Sequence, residues 1–176
     1  MKPLTALMLV SLLVLSGCMS EDGKSKTQLD SIETSYLPEG VLAPNSLDDV
    51  EKMRFELEEL RKRTGNSTEG IAVKILIDSR IGTLEMRENL INGQLEYKLI
   101  RLNDIDCGEN SAVNNTIGFF KEAWASGEKA LNKLDEFNEN YSGVQDITEL
   151  KENLKATVST IKQNYEEIKE YRDSVC

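Results

Sequence analysis

Cysteine has the most distinctive chemistry of the residue types in this sequence, and it occurs three times, at Cys18, Cys107 and Cys176. A thiol can be acylated, can join a second thiol in a disulfide, or can bind a metal ion. Histidine, the commonest general base near neutral pH and the commonest metal ligand, is absent from the chain. The sequence therefore excludes histidine-dependent catalysis and directs attention to the thiols.

Cys18 closes an apolar segment near the start of the chain. Lys2 supplies a positive charge, and the dozen residues from 4 to 15 are largely apolar. This run is shorter than the roughly 20 residues that a helix needs to cross a hydrocarbon core, and it fits the apolar region of a signal peptide. An uncleaved anchor or a buried apolar helix is the alternative interpretation.

The residues Leu15-Ser16-Gly17-Cys18 resemble the lipobox of bacterial and archaeal lipoproteins. This resemblance implies that a signal peptidase removes residues 1–17 and that Cys18 becomes the lipidated first residue of the mature chain. It further implies a location at the cell membrane, held by lipid on the extracytoplasmic face. The rest of the chain resembles no family.

The composition limits the partners of the remaining chain. Removing residues 1–17 from 176 leaves 159, which is enough for one domain with a core. The removed segment holds one lysine and no acid, so 20 basic and 31 acidic side chains remain and give a formal charge of −11. Because proteins that bind polyanions need basic patches, this charge argues against nucleic acid and anionic lipid headgroups as partners.

Residues 18–45 are predicted to be a lipidated N-terminus and flexible tether. They are rich in polar residues, contain two prolines and show no sustained apolar period. Five side chains are candidates for docking back onto the domain: Ile32, Tyr36, Leu37, Val41 and Leu42. Residues 46–176 are predicted to form one helical domain.

The domain is predicted to be all-α, because its apolar residues recur three and four positions apart. The spacing predicts four helices, over about 46–63, 71–105, 111–138 and 147–175. Ile71, Val73, Ile75 and Ile77 alternate as they would in a strand. No partner strand is visible, so we interpret this segment as part of the second helix.

We expect an up-and-down bundle of three long antiparallel helices plus the shorter N-terminal one. Antiparallel pairing of the last two helices brings Cys176 close to Cys107. An even cysteine remainder in an exported protein favours a disulfide between them, with two free thiols as the alternative. Heptad spacing of the apolar residues is also compatible with a homo-oligomer.

Two further classes of site are weakly indicated. Asn66, Asn114 and Asn140 begin N-glycosylation tripeptides, which matter only in an organism that glycosylates exported proteins. Oxygen ligands that could hold calcium concentrate in one turn, at Asn103, Asp104, Asp106, Glu109 and Asn110. Their spacing does not fit an EF-hand, and turn and capping roles explain them better. We therefore predict no metal site and no cofactor.

No catalytic motif stands out, so the chain is predicted not to be an enzyme. The leading hypothesis is a lipid-anchored, extracytoplasmic module that binds an unknown protein partner or supports the cell envelope. The alternative is a sensor or binder of a small molecule or ion between helices. In that case Trp124, Tyr165, Gly127 and Ala130 could line the gap.

Overall fold

The computed structural model describes residues 21–38, 40–100, 107–108 and 111–176. These residues form helices and no strand. The five helices are α1 (Glu21–Tyr36), α2 (Leu47–Arg63), α3 (Thr68–Ile100), α4 (Ala112–Tyr141) and α5 (Thr148–Val175). The prediction of an all-helical bundle is therefore confirmed.

Helix α1 is a correction to the sequence prediction, which expected an irregular tether over residues 18–45. The α1 sequence is mostly polar, and it forms a helix because other elements hold it. Leu29 is 2% exposed and belongs to the core, with Ile32 packed beside it. Glu33 accepts a 2.5 Å ion-paired hydrogen bond from Arg80 of α3. Long-range contacts of this kind leave little local signal in a sequence.

The segment that follows α1 is also docked onto the bundle. Ala43 is buried, and Arg87 of α3 donates hydrogen bonds to the Pro44 carbonyl at 3.0 Å and to the Asn45 side chain at 2.7 Å. Several of the side chains that were candidates for docking do pack against the core, namely Ile32, Tyr36, Leu37 and Leu42. The contact is therefore more extensive than a tether would make.

Helix α3 settles the strand-like alternation of Ile71 to Ile77 in favour of a helix. Val73, Ile75 and Ile77 are buried, but so are Ala72 and Leu76. The first half of α3 is therefore enclosed on several sides, and its apolar residues follow neither a single stripe nor a strand. Its predicted extension through residues 101–105 lies outside the described residues.

Polar side chains cap the starts of α2, α4 and α5. Ser46 Oγ accepts a hydrogen bond from the Asp49 N–H at 3.1 Å, and Ser111 Oγ accepts one from the Asn114 N–H at 3.3 Å. At the start of α5, Asp146 Oδ1 accepts from the Thr148 N–H at 2.9 Å. Each bond satisfies a backbone donor that the helix itself leaves unpaired.

Small residues allow α3, α4 and α5 to approach closely. A Cβ atom at Gly82 would lie 3.1 Å from the Ala130 Cβ, and one at Gly127 would lie 2.5 Å from Val158 Cγ2. Ser79 Oγ adds a buried 3.0 Å hydrogen bond to the Ala130 carbonyl. These positions fix where the helices cross.

Helices α3 and α4 make most of the contacts between helices. Helix α4 packs against α3 and α5, while α1 and α2 pack against α3 and against each other. Two ion pairs join α2 to α3, one from Arg61 to Asp78 at 2.5 Å and one from Arg54 to Glu88. The core is formed by buried residues from all five helices.

Candidate functional sites

The lipobox and Cys18 lie outside the described residues, so their prediction stays a prediction. Among the residues that are described, no helix is both long enough and apolar enough to cross a membrane. The candidate calcium ligands between residues 103 and 110 also lie outside the described part. Within that part, no three His, Cys, Asp or Glu side chains cluster as metal ligands would.

Cys107 and Cys176 are joined in a disulfide, with the two Cα atoms 5.8 Å apart. Cys107 precedes α4 and Cys176 follows α5, so the bond ties together the outer ends of a helix pair. Both residues are exposed. Nearby, Arg172 Nη1 donates a 3.4 Å hydrogen bond to Asn114 Oδ1 across the same two helices.

The three candidate glycosylation residues differ in how accessible their amides are. Asn66 lies exposed in the α2–α3 loop, where its Oδ1 accepts a 2.6 Å hydrogen bond from Lys74. Asn140 is exposed near the end of α4 and bonds the Glu136 carbonyl at 2.9 Å. Asn114 is half-buried, and its amide nitrogen donates to the Gly108 carbonyl at 2.9 Å. Of the three candidates, Asn66 is the one that is both exposed and outside a helix.

The predicted gap at Trp124, Tyr165, Gly127 and Ala130 is filled by protein. The space over Gly127 is taken by Val158 and by the Met86 sulfur. Trp124 and Tyr165 stack with ring centroids 6.0 Å apart. What remains is an open surface groove between α4 and α5, lined by Trp124, Glu128, Leu131, Asn132, Asp135, Lys151, Lys155, Val158, Ser159 and Lys162.

The Trp124 ring is held by several contacts of its own. Its indole N–H donates to Glu128 at 3.1 Å, and the Lys162 ammonium lies 5.1 Å from the ring centroid. A ring bonded in this way contributes to the packing of α4 on α5. It offers no enclosed space for a small molecule.

Helix α2 carries a feature that the sequence analysis missed. Phe55 is 65% exposed, more than any other large apolar side chain among the described residues. It lines a groove toward α3 and another toward α1, so it forms the crest between them. The available signal was an aromatic residue that falls off the buried stripe formed by Val50, Met53, Leu57 and Leu60.

We define the α2 outer face by the residues within about 60° of Phe55 around the helix. They are Asp48, Glu51, Lys52, Phe55, Glu58, Glu59 and Lys62. The acids of the first turn and the bases of the last turn give α2 a negative start and a positive end. That polarity complements the helix dipole.

The pKa shifts on α2 come from pairs within the helix. The pKa of Lys52 is raised, chiefly by its 2.5 Å hydrogen bond to Asp48. The pKa of Lys62 is raised and that of Glu59 is lowered by their mutual 2.7 Å hydrogen bond. These side chains are exposed and paired, so none is tuned to transfer protons in a cleft.

Elsewhere the shifted groups are also explained by local partners. The pKa of Tyr36 is raised, mainly because its hydroxyl donates to Glu56 at 2.8 Å. The pKa of Asp146 is lowered by hydrogen bonds from the backbone and then the side chain of Thr148.

Comparisons with protein families, with curated proteins and with solved structures found no match to this chain.

Proposed function

We propose that this chain is a lipid-anchored, extracytoplasmic helical protein that acts as a non-catalytic interaction or cell-envelope module. The observation that carries the proposal is the lipobox-like sequence ending at Cys18, preceded by Lys2 and an apolar run of signal-peptide length. Residues 1–17 would be removed, and the helical domain would be held at the cell membrane by lipid on Cys18.

The disulfide between Cys107 and Cys176 supports the extracytoplasmic location independently. Disulfides persist in oxidising compartments and are rare where thiol reductants are maintained. Both cysteines are exposed, so cytoplasmic reductants would have access to this bond. The lipobox-like segment and the disulfide thus both favour the extracytoplasmic side of the membrane.

For the finer architecture, we propose an up-and-down bundle in which α3, α4 and α5 alternate in direction. Its support is the sequence order of the contacts. Gly82 approaches Ala130, and Gly93 approaches Phe120. On the other side of α4, Asp135 binds Lys151, while Trp124 meets Tyr165. In both helix pairs, the residue numbers rise along one helix as those of the contacting residues fall along the other, as antiparallel helices require.

An interaction role fits the surface better than a small-molecule role does. The grooves described above are open and shallow, whereas a small-molecule site normally buries most of its ligand. The α2 outer face presents an exposed aromatic ring, and aromatic residues are enriched at protein–protein interfaces.

Mass spectrometry of the protein purified from membranes tests the anchor. We expect a mature chain that begins at Cys18 and carries acyl or comparable lipid groups there. A Cys18→Ser variant should lose the lipid and move to the aqueous phase in detergent partitioning. An intact residue 1 and an unmodified Cys18 thiol in the wild-type chain would contradict the proposal.

Affinity purification from detergent-solubilised membranes tests the interaction role. The lipidated chain should recover the same partner in replicate experiments, and beads carrying an unrelated lipoprotein should not. Recovery of no reproducible partner would count against this role while leaving the anchor intact.

The alternative is a binder of a small molecule or ion. A ligand that binds only the folded chain raises the thermal midpoint by mass action. A screen of metabolites and metal ions by thermal shift therefore separates the two functions. A saturable shift with one compound class would favour the binder.

A further inference from the structure

The α2 outer face has a charge pattern that is complementary to itself. Phe55 is seven residues from both Asp48 and Lys62, which is nearly two turns of helix in each direction. All three residues therefore lie on one side of α2, in the order acid, aromatic ring, base. A second α2 in the opposite direction presents the same three residues as base, ring, acid.

We propose that the α2 outer face binds the α2 outer face of a second copy of this chain, antiparallel and with a two-fold axis at Phe55. Each Phe55 then packs against the partner's Phe55, and each Asp48 lies opposite the partner's Lys62. Such a contact uses the same patch on both subunits and closes on itself. The inference rests on the proposed interaction role and names its partner.

The flanks of the contact are not equivalent. On the side toward α1, Lys52 lies opposite the partner's Glu59. On the side toward α3, where Glu51 and Glu58 line the same groove, Glu51 lies opposite the partner's Glu58. The first pairing is attractive and the second is repulsive. Neither Glu51 nor Glu58 has an ion-pair partner within the described part of the chain.

The attractive pairs replace bonds that already exist within α2. Lys52 binds Asp48 and Lys62 binds Glu59, and the lysine side chains are 57% and 68% exposed. Exposed ion pairs contribute little free energy, so exchanging them between the two copies sets the direction and register of the helix contact and not its strength. Burial of the two Phe55 rings supplies the attraction, because each ring now meets water over most of its surface.

A second copy fits this face better than a uniformly basic partner does. A basic segment would be attracted to Asp48 and Glu51 but repelled by Arg61, Lys62 and Arg63 at the other end of α2. The two-fold arrangement matches both ends at once. The two hypotheses also make opposite predictions for Glu51 and Glu58.

Cross-linking of the full chain in detergent micelles tests the position of the axis. A residue on a two-fold axis meets its own copy, so Phe55→Cys should form a covalent dimer with a short bismaleimide. Glu166→Cys, at an exposed position on α5, is the matched control, and the wild-type chain reports any reaction through Cys18. Dimer formation no greater than in Glu166→Cys would overturn the proposal.

Sedimentation of the same solubilised chain tests which side chains drive association. Concentrations up to about 1 mM are needed, because a contact through a single helix face is expected to be weak. Phe55→Ala should weaken association at least about tenfold. The double substitution Glu51→Gln with Glu58→Gln should strengthen it, since it removes the repulsive pair. Glu166→Gln with Glu170→Gln makes the same charge change on α5 and serves as the control.

The outcomes separate this inference from the broader function. Weaker association after Glu51→Gln and Glu58→Gln would overturn the two-fold contact, because it would place a basic surface of the other copy opposite these glutamates. Unchanged association with Phe55→Ala, at an unchanged thermal midpoint, would overturn it as well. An unlipidated Cys18 would contradict the proposed anchor but not the two-fold contact. The cross-linking test remains valid in that case, because Phe55→Cys and Glu166→Cys carry the same Cys18.

Discussion

The two ends of the bundle are held together in different ways. The end that contains the α4–α5 turn is built from five helices, and Leu134, Phe137 and Leu154 are fully buried there. At the other end, α3 has only Gly93 buried after Met86 and α5 has no buried residue after Ile161, while α4 buries Val113, Ile117 and Phe120. Leu95 and Leu99 of α3 are about half exposed at that end.

A covalent bond lies at the end where α3 and α5 bury fewer residues. The disulfide between Cys107 and Cys176 joins the outer ends of α4 and α5 there. The five-helix end has no such bond in the described residues, and it relies on apolar burial. The comparison indicates that one end is held by apolar burial, whereas the other combines the buried start of α4 with a covalent cross-link.

The largest effect is expected from emptying the five-helix end. Phe137→Ala should lower the free energy of unfolding by about 3–5 kcal/mol, because Phe137 is fully buried and its removal leaves a cavity. Phe55→Ala, at the most exposed aromatic side chain described, should change it by less than about 0.5 kcal/mol. Urea denaturation measures both, and similar losses would contradict the contrast between packed and exposed rings.

Removing the disulfide should weaken the other end. Cys107→Ser with Cys176→Ser should cost about 4 kcal/mol on the chain-entropy account, because the bond spans a sequence separation of 69. Amide hydrogen exchange should accelerate in the first turns of α4 and the last turns of α5. Equal acceleration around Phe137 would show that the two ends unfold as one unit.

Two glycines of α4 provide a matched test of local packing. Gly127→Ala should destabilise the protein by about 1–3 kcal/mol, because the new methyl group would lie 2.5 Å from Val158 Cγ2. Gly118→Ala meets nothing within 4 Å and should stabilise the helix by about 1 kcal/mol. Thermal midpoints of the two variants should shift in opposite directions, and shifts of the same sign would disprove the close approach of α4 and α5.

The smallest effect concerns the cap of α5. The hydrogen bonds from Thr148 hold the pKa of Asp146 below its ordinary value of 3.8. A lowered pKa stabilises the folded state above that ordinary value, and the contribution is lost as the pH falls through the folded-state pKa.

The stability advantage of wild type over Asp146→Asn should therefore shrink as the solution is acidified below about pH 4. Urea midpoints measured across this range report the difference. Glu152→Gln, which removes an exposed carboxylate with no hydrogen bond among those described, should leave the acid dependence unchanged. A constant difference between wild type and Asp146→Asn would show that the cap does not titrate.

Some features of the fold and of the candidate sites could be predicted, because they depend on residue type and spacing along the chain. Serine caps at Ser46 and Ser111 and the buried stripe of α2 follow from residue type and spacing. The approach of Cys176 to Cys107 followed from two helices of similar length joined by a short turn. The ligand gap near Gly127, which belonged to the alternative function, is filled by Val158 and Met86, because a small residue is as compatible with a close helix contact as with a cavity.

By itself, the sequence determined the helical class, the starts of α2, α4 and α5 and the proximity of Cys107 to Cys176, because each depends on periodicity, local hydrogen bonding or chain length. Only the tertiary structure decided that α1 is a helix, since its mostly polar sequence is held by Leu29 and the Arg80–Glu33 pair. It also decided that Phe55 remains exposed while Trp124 is partly buried against Tyr165. The position of Phe55 off the apolar stripe of α2 is visible in the sequence, but its exposure depends on which elements from distant parts of the chain pack beside it.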